Sequence, residues 1–305
     1  MIWANQVVQG VLLGGYYALL ASGLSLMFGV MRIINLAHGD LAVLGAFLVL
    51  VMTDHGVSAF VALAAVLPAM AAVGWLLQRT LLERGLRSGA LVPLLTTFGL
   101  AIVIQNLLFE KFGANVRSLG PGIGTLAYDS WTITTQIYVA KLAVLIFGVA
   151  VALLLGLQLV LARTPLGRAL RATAEDPDTA ELVGINSRAV YAFAAAIAVA
   201  TVALAGAFYG MRTTFAPYDG PSQLIFAFEA VVIGGLGSLW GTLLGGIVLG
   251  VSQNMGQQIG QQFFNNSEWF LPAGHIVFLA VLAGRLVVAE VAARGGVRTV
   301  LGQSA

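Results

Sequence analysis

The densest run of groups able to make directed polar contacts is residues 163–186, RTPLGRALRATAEDPDTAELVGIN. It holds three of the fifteen basic residues, Arg163, Arg168 and Arg171, and four of the thirteen acids, Glu175, Asp176, Asp178 and Glu181. Their spacing suits capping and docking rather than bond breaking. Asp176 is a good N-cap, Pro177 fits the first helical position, and Gly184 stands where a left-handed residue would end the helix. The interval around Ala180 therefore predicts a helix of about two turns, with acids in its first turn favoured by the macrodipole. A helix so short needs something to pack against. Upstream, Leu166, Ala169, Leu170 and Thr173 recur at helical spacing, with arginines on the other side.

No catalytic constellation accompanies this run. The chain has no Gly-Lys-Ser/Thr phosphate loop, no H-E-x-x-H and no G-x-S-x-G. Ser22 and Ser25 lie in an apolar stretch and read as serines bonded back to their own helix, not as nucleophiles. A metal site is not expected at His38, which has no second histidine or carboxylate at i+4. The remaining chemistry sits where polar groups interrupt hydrocarbon: Arg32, Asn35, His38 and Asp40 near Gly39, then Gln105 and Asn106, then Glu229. Burying a charge in a bilayer costs several kcal/mol, so such groups tend to mark function. His38 fits either a loop at the membrane surface or the lining of a path. Glu229 fits a path, a contact with a partner subunit, or an outer interface where it reaches water. Only one ionisable group, Glu229, is expected deep in the membrane, which argues against a proton relay.

The elements that must position these groups are membrane spans. The chain has 305 residues, 59% hydrophobic and 9% charged, against roughly 25% charged in soluble domains. The expected fold is all-α and polytopic, with roughly eight or nine transmembrane helices, some discontinuous or re-entrant. Residues 6–30 form the first span, and 31–46 a break before hydrophobicity resumes to Met52. Further spans are expected at 57–77, 91–108, 137–162, 190–211 and 269–287, with an ordered loop at 110–136. Residues 224–236 are too short to cross, and the cluster Gly234, Gly235, Gly237 and Gly241 breaks them from an apolar leg at 243–251. Gly10 and Gly14 form a G-x-x-x-G suited to close helix contact. Gly39-x-Leu41 and Gly241-x-Leu243 hint at two related halves. Residues 1–305 read as one transmembrane domain, with 163–188 a loop inside it. The absence of cysteine excludes disulfides and thiolate metal sites. The start, MIWANQVVQG, shows no signal-peptide pattern.

Charge supplies orientation. Regions 78–90, 163–188 and 285–305 hold ten of the fifteen basic residues, among them Arg79, Arg84, Arg87, Arg188, Arg285, Arg294 and Arg298. The connections on the other side keep Asp54, Glu110, Asp129, Asp219 and Glu268. The positive-inside rule then places 163–188 and the C-terminus in the cytoplasm, leaving the side of the N-terminus open. Scattered between apolar spans, these charges do not form a nucleic-acid patch.

Three stretches carry a resemblance. Asp178-Thr179-Ala180, followed after three residues by Gly184, is a degenerate copy of the EAA-x-x-x-G loop of ABC importer permeases. INLAHGD at 34–40 is similar to an INxAHG signature of branched-chain amino acid permeases, and AVVIGGLGS at 230–238 with GGIVLG at 245–250 resembles the same family. The resemblance implies a permease subunit in the bacterial inner membrane that forms half of an alternating-access path for branched-chain or related hydrophobic amino acids. It implies no catalytic or metal-binding residue and no cofactor in this chain, ATP and Mg being bound by partners. The implied partners are two ATPase subunits, a second related permease, a periplasmic or lipid-anchored binding protein, and membrane lipids. Arg171, Glu175, Asp176, Pro177, Asp178, Ala180, Glu181 and Gly184 are then the ATPase-coupling set. Asn35, His38, Gly39, Gln105, Asn106, Glu229, Gly234 and Gly235 are candidates for the path. Permeases for urea, amides or small organic acids look alike, and an ATP-independent carrier or channel is the remaining alternative.

Overall fold

The computed structural model describes residues 2–86, 89, 91–134 and 137–302, with side chains through Val288 apart from Leu86. Arg87 and the side chains of Arg294 and Arg298, part of the expected basic set, lie outside the described residues. Helix α1 (Ile2–Met31) is followed by α2 (His38–Asp54) and α3 (Ala59–Leu77), which runs through a π-turn (Gln78–Leu82) into α4 (Glu83–Leu86). Then come α5 (Leu91–Phe112), a 3-10 turn (Gly120–Ala127), strands β1 (Ser130–Thr134) and β2 (Ile137–Ala140), and α6 (Lys141–Arg163). Helices α7 (Pro165–Glu175), α8 (Pro177–Leu182), α9 (Ser187–Arg212), α10 (Gly220–Gly234), α11 (Leu239–Phe264) and α12 (Phe270–Gly302) complete the chain. Among the described residues, six helices are long and apolar enough to cross a membrane, or seven if the bent pair α10–α11 counts as one span. The expected eight or nine is reached only by counting the short α2 and α10 as partial crossings.

Burial separates a centre from a rim. The most apolar window of α1 is 83% buried and that of α9 67%, against 17% for α6 and 6% for the stretch Ser267–Val288. The central helices can approach closely because they present small residues, the main route to helix association where lipid removes the hydrophobic drive. Helices α1 and α11 run antiparallel. A Cβ on Gly10 would meet the Val251 backbone, and one on Gly14 the Ile247 backbone. The predicted G-x-x-x-G is therefore a helix-packing seam.

The expected ordered loop at 110–136 extends further and contains sheet. Alternating β-branched and aromatic residues, SWTIT and IYVA, favour strands, and β1 pairs antiparallel with β2. Helix α6 consequently starts at Lys141, not 137. Lys141 anchors the hairpin, its Nζ 2.6 Å from the Asp129 carboxylate. That hydrogen bond holds the Asp129 carboxyl below its ordinary range. Gln9 donates to the Tyr138 carbonyl, so the hairpin and the N-terminal end of α1 share one face. The other end of α1 reaches α7, and the chain therefore starts opposite the α7–α8 face.

At two places the chain turns back into the helix bundle. After α1, Arg32 adopts a left-handed φ of 54° and turns the chain back. Helix α2 then begins beside Leu20, whose carbonyl lies 2.7 Å from His38 Nε2. After α9, residues 213–219 fold inward and α10 begins against α2, where a Cβ on Gly39 would collide with the Gly220 carbonyl oxygen. Gly39 thus packs directly against Gly220 at the start of α10. Gly241, paired with Gly39 in the sequence pattern, instead sits in the first turn of α11 against Gly234. Helix α11 is also far longer than the predicted leg 243–251, because Gln253, Asn254 and the glutamines beyond continue its helical pattern.

Candidate functional site

Two features of the molecule are built for more than packing. The first is the α7–α8 face. Thr164 caps α7, its Oγ1 accepting from the Gly167 amide at 3.0 Å. Helix α7 buries Gly167, Leu170 and Thr173 and exposes Arg168, Arg171 and Glu175, the amphipathic division predicted by its spacing. Asp176 Oδ1 accepts from the amides of Asp178 at 3.0 Å and Thr179 at 3.2 Å. Its Oδ2 accepts from the Thr179 hydroxyl at 2.5 Å. These donors favour the charged form, the Thr179 hydroxyl most, and hold the carboxyl below its ordinary range.

The other end of α8 is closed by a Schellman motif: the Gly184 amide donates to the Glu181 carbonyl and the Ile185 amide to the Ala180 carbonyl, both at 3.0 Å. Gly184 has φ 86°, a conformation that disfavours a side chain. Ala180 packs inward, 3% exposed, and the Ser187 hydroxyl donates to the Pro177 carbonyl. Beside the exposed Asp178, Thr179 and Glu181, the C-terminal end of α8 also presents apolar groups outward. Leu182 is 87% exposed and Val183 74%, at the tip of a polar loop. A cleft of about 620 Å³ beside them is lined by Pro177, Asp178, Glu181, Arg188 and Glu83. Arg188 Nε lies 3.3 Å from Glu83 Oε1, tying this face to α4. Leu182 and Val183 were not singled out from sequence, although two apolar residues between charged ones and the closing glycine are a readable signal.

The second feature is a buried polar interior. Asn35 Oδ1 accepts from the Ala37 amide at 3.0 Å, pinning the turn into α2. His38, 1% exposed, uses Nε2 on Leu20 and leaves Nδ1 without a hydrogen-bond partner. Asp40, 2% exposed, accepts from Gln105 Nε2 at 2.8 Å. Asp40 corrects the expectation of a single deep ionisable group, since α2 begins inside the molecule and carries its first-turn acid there. Asn106 is exposed and bonds back to the Ile102 carbonyl. With Gln105, Phe109, Pro217 and Tyr218 it lines a cavity of about 140 Å³.

Glu229 belongs to a different cluster. It is 3% exposed and lies 2.5 Å from His275 Nδ1, its other oxygen unpaired. This contact joins α10 to α12 inside the chain. Near it, Tyr17 donates to Gln253 Oε1 at 2.5 Å, and Tyr16 donates to Gln223 Oε1. Tyr16 also stacks on Tyr209, whose hydroxyl bonds Asp219. The structure therefore brings His38, Gly39 and Gln105 together around Asp40, and sets Glu229 apart. Gly234 makes the α10–α11 crossing, and Gly235, φ 103°, makes the turn after it. Gln223, Gln253 and His275 were missed: His275 is a polar group in an apolar run, the signal that found Glu229, whereas Gln223 ends a polar connection and Gln253 opens a glutamine-rich stretch. Ser22 bonds the Leu19 carbonyl as expected. Ser25 does not follow it: its hydroxyl has no partner.

Comparison with known proteins agrees with this architecture. The family described as branched-chain amino acid transport system / permease component matches residues 6–289. The high-affinity branched-chain amino acid transport system permease protein BraD of Pseudomonas aeruginosa is 32% identical over 79% of this chain and 82% of its own length. LivH of Salmonella typhimurium, of the same description, is 32% identical over 80% of this chain and 82% of its own. A probable branched-chain amino acid transport permease protein LivH of Methanocaldococcus jannaschii is 26% identical over 93% and 90%. The solved PsaBC from Streptococcus pneumoniae in complex with Fab aligns with 91% of this chain and 90% of its own at 13% identity and a TM-score of 0.44, too distant to carry weight. A family match across nearly the whole chain, and relatives above 30% identity over most of their length, place this chain in the branched-chain amino acid transport system permease family.

Proposed function

We propose that this chain is one of two permease subunits of an ABC importer for branched-chain or related small apolar amino acids, driven by separate ATPase subunits that bind ATP and Mg. The single observation carrying the coupling role is α8: a capped helix, locked at both ends, presenting Leu182 and Val183 to solvent. Large apolar side chains exposed on a rigid polar loop fit a partner's pocket, as interface anchors do. Arg171, Glu175, Asp176, Pro177, Asp178, Ala180, Glu181 and Gly184 form, shape or flank this docking helix. The α7–α8 face and the C-terminus are cytoplasmic in this reading, in the inner membrane, as the arginine distribution favours. The hairpin face then receives solute from a periplasmic or lipid-anchored binding protein.

The path runs along the re-entrant centre, with Asn35, His38, Gly39, Gln105 and Asn106 on one side and a second permease opposite. Glu229, Gly234 and Gly235 shape α10 and its turn. No step of bond chemistry is assigned to the chain. The test is purification from native membranes with co-purifying chains identified by mass. Two P-loop ATPases and a second hydrophobic chain are expected, and L182D/V183D should release the ATPases without releasing the second permease. ATP-independent transport by the reconstituted chain alone would overturn the proposal.

A further inference from the structure

On the α7 side of the molecule, a cleft of about 520 Å³ opens between α1, α6, α7 and the turn into α11. Its walls include Leu26, Leu161 and Leu170; its polar groups are Ser25, Gln158 and Arg171. Ser25 is fully buried, lines this cleft, and has a hydroxyl with no hydrogen-bond partner in the protein. An unsatisfied buried hydroxyl is costly, and most serines in apolar helices avoid the cost by bonding back, as Ser22 does. Ser25 precedes the end of α1 at Met31 by about 9 Å of helical rise, the depth of a headgroup–acyl boundary. Arg171 is exposed at the cleft, and Arg168, one turn back on α7, is exposed too.

We infer that this cleft binds the phosphate-bearing head of an anionic phospholipid. The Arg171 guanidinium and Gln158 would hold the phosphate, Ser25 would donate to a headgroup or ester oxygen, and the leucines would flank the first acyl carbons. A free phosphate satisfies the guanidinium but leaves the leucine walls uncovered, so the mixed lining favours the lipid. Basic pockets between helix ends at a membrane surface have this chemistry in general. The inference depends on the chain being membrane-embedded with α7 at the interface, not on which solute is transported.

The test is native mass spectrometry of the full chain, with any partners that co-purify, released from nanodiscs of phosphatidylcholine with or without phosphatidylglycerol. The wild type should retain phosphatidylglycerol in preference to phosphatidylcholine. Arg171→Glu should weaken that retention by about tenfold, the scale of one lost charge-assisted contact. Ser25→Leu, which fills the cleft, should do the same. Arg171 is exposed, so its variant remains informative if Ser25→Leu fails to fold. Equal retention by wild type and Arg171→Glu overturns the inference. So does displacement of the lipid by inorganic phosphate at matching occupancy, which would make this a free-anion site. None of these readouts requires ATP or solute, so failure here is distinguishable from failure of the transport reading.

Discussion

The α8 turn and the junction of α2 with α10 are both made of short helices, yet they are held in opposite ways. Helix α8 is specified within a dozen residues: Asp176 caps it, Gly184 closes it, and Ser187 ties it down. The α2–α10 junction is specified by residues far apart in the chain. Gly39 meets Gly220, Asp40 meets Gln105, and His38 meets Leu20. An element closed by its own local bonds keeps its shape while its surroundings shift, which suits a part that transmits displacement. An element closed by distant partners keeps its shape only if the whole body does. In this chain, α8 is held locally and the interior collectively.

The largest expected effect tests the collective side. Gly39→Val would drive a side chain into the Gly220 carbonyl, backbone that cannot swing aside. Overpacking of this kind should cost about 3 kcal/mol or more, read as a lowered thermal midpoint in detergent or loss of the folded chain. A stable Gly39→Val protein would mean that α2 and α10 do not meet as described. Next is His275→Ala, which strips the Glu229 carboxylate of its partner. Because His275 is 43% exposed, the expected loss is about 1–2 kcal/mol, the cost of one unsatisfied buried acceptor. Glu229→Gln, which keeps a hydrogen-bonding side chain, should cost less. The reverse order would show that the Glu229 carboxylate is held by more than its contact with α12.

Comparable in stability, but sharper in function, is Gly184→Val. A β-branched residue at φ 86° is strained by about 1–2 kcal/mol. The Schellman closure would open without disturbing the spans. Solute-stimulated ATPase activity should fall while the assembly stays intact on size exclusion. Unchanged stimulation would sink the docking role of α8.

The same contrast explains what could be read from sequence. Asp176, Pro177 and Gly184 announced α8 because capping is written in neighbouring residues, and the exposed arginines of α7 followed from period alone. The breaks at 31–40 and at the glycine cluster 234–241 were visible as interruptions of hydrocarbon. What they do was not, since Gly39 and Gly220 find each other only after four spans have folded between them. Likewise Asp40 was legible only as one of the polar groups interrupting hydrocarbon near Gly39, and its burial depends on α5 bringing Gln105 alongside. The strands escaped notice because SWTIT falls within the loop expected at 110–136, while IYVA is as apolar as the span it leads into. Glu229 was located by its chemistry, but its partner His275 lies on a helix whose packing no local pattern reveals.

The finest probe of the local side is the titration of Asp176. Its carboxylate accepts from the Thr179 hydroxyl and from two amides, so the charged form is favoured in the folded loop and the carboxyl titrates below its ordinary value, about 3.9 in an unfolded chain. A depressed folded value means the cap contributes fully above that ordinary value. The contribution is lost as pH falls through the folded one. At neutral pH, therefore, the cap is intact, and modest acidification should leave coupling unchanged. A carboxyl carbon shift followed in labelled protein should show a midpoint below the ordinary value, and Thr179→Val should raise it, since that hydroxyl is the leading cause. Asp176→Asn keeps an N-cap acceptor without the charge, so it should preserve coupling at neutral pH. An Asp176 midpoint at or above the ordinary value would mean that the cap does not form. The docking helix would then depend, like the interior, on partners from elsewhere.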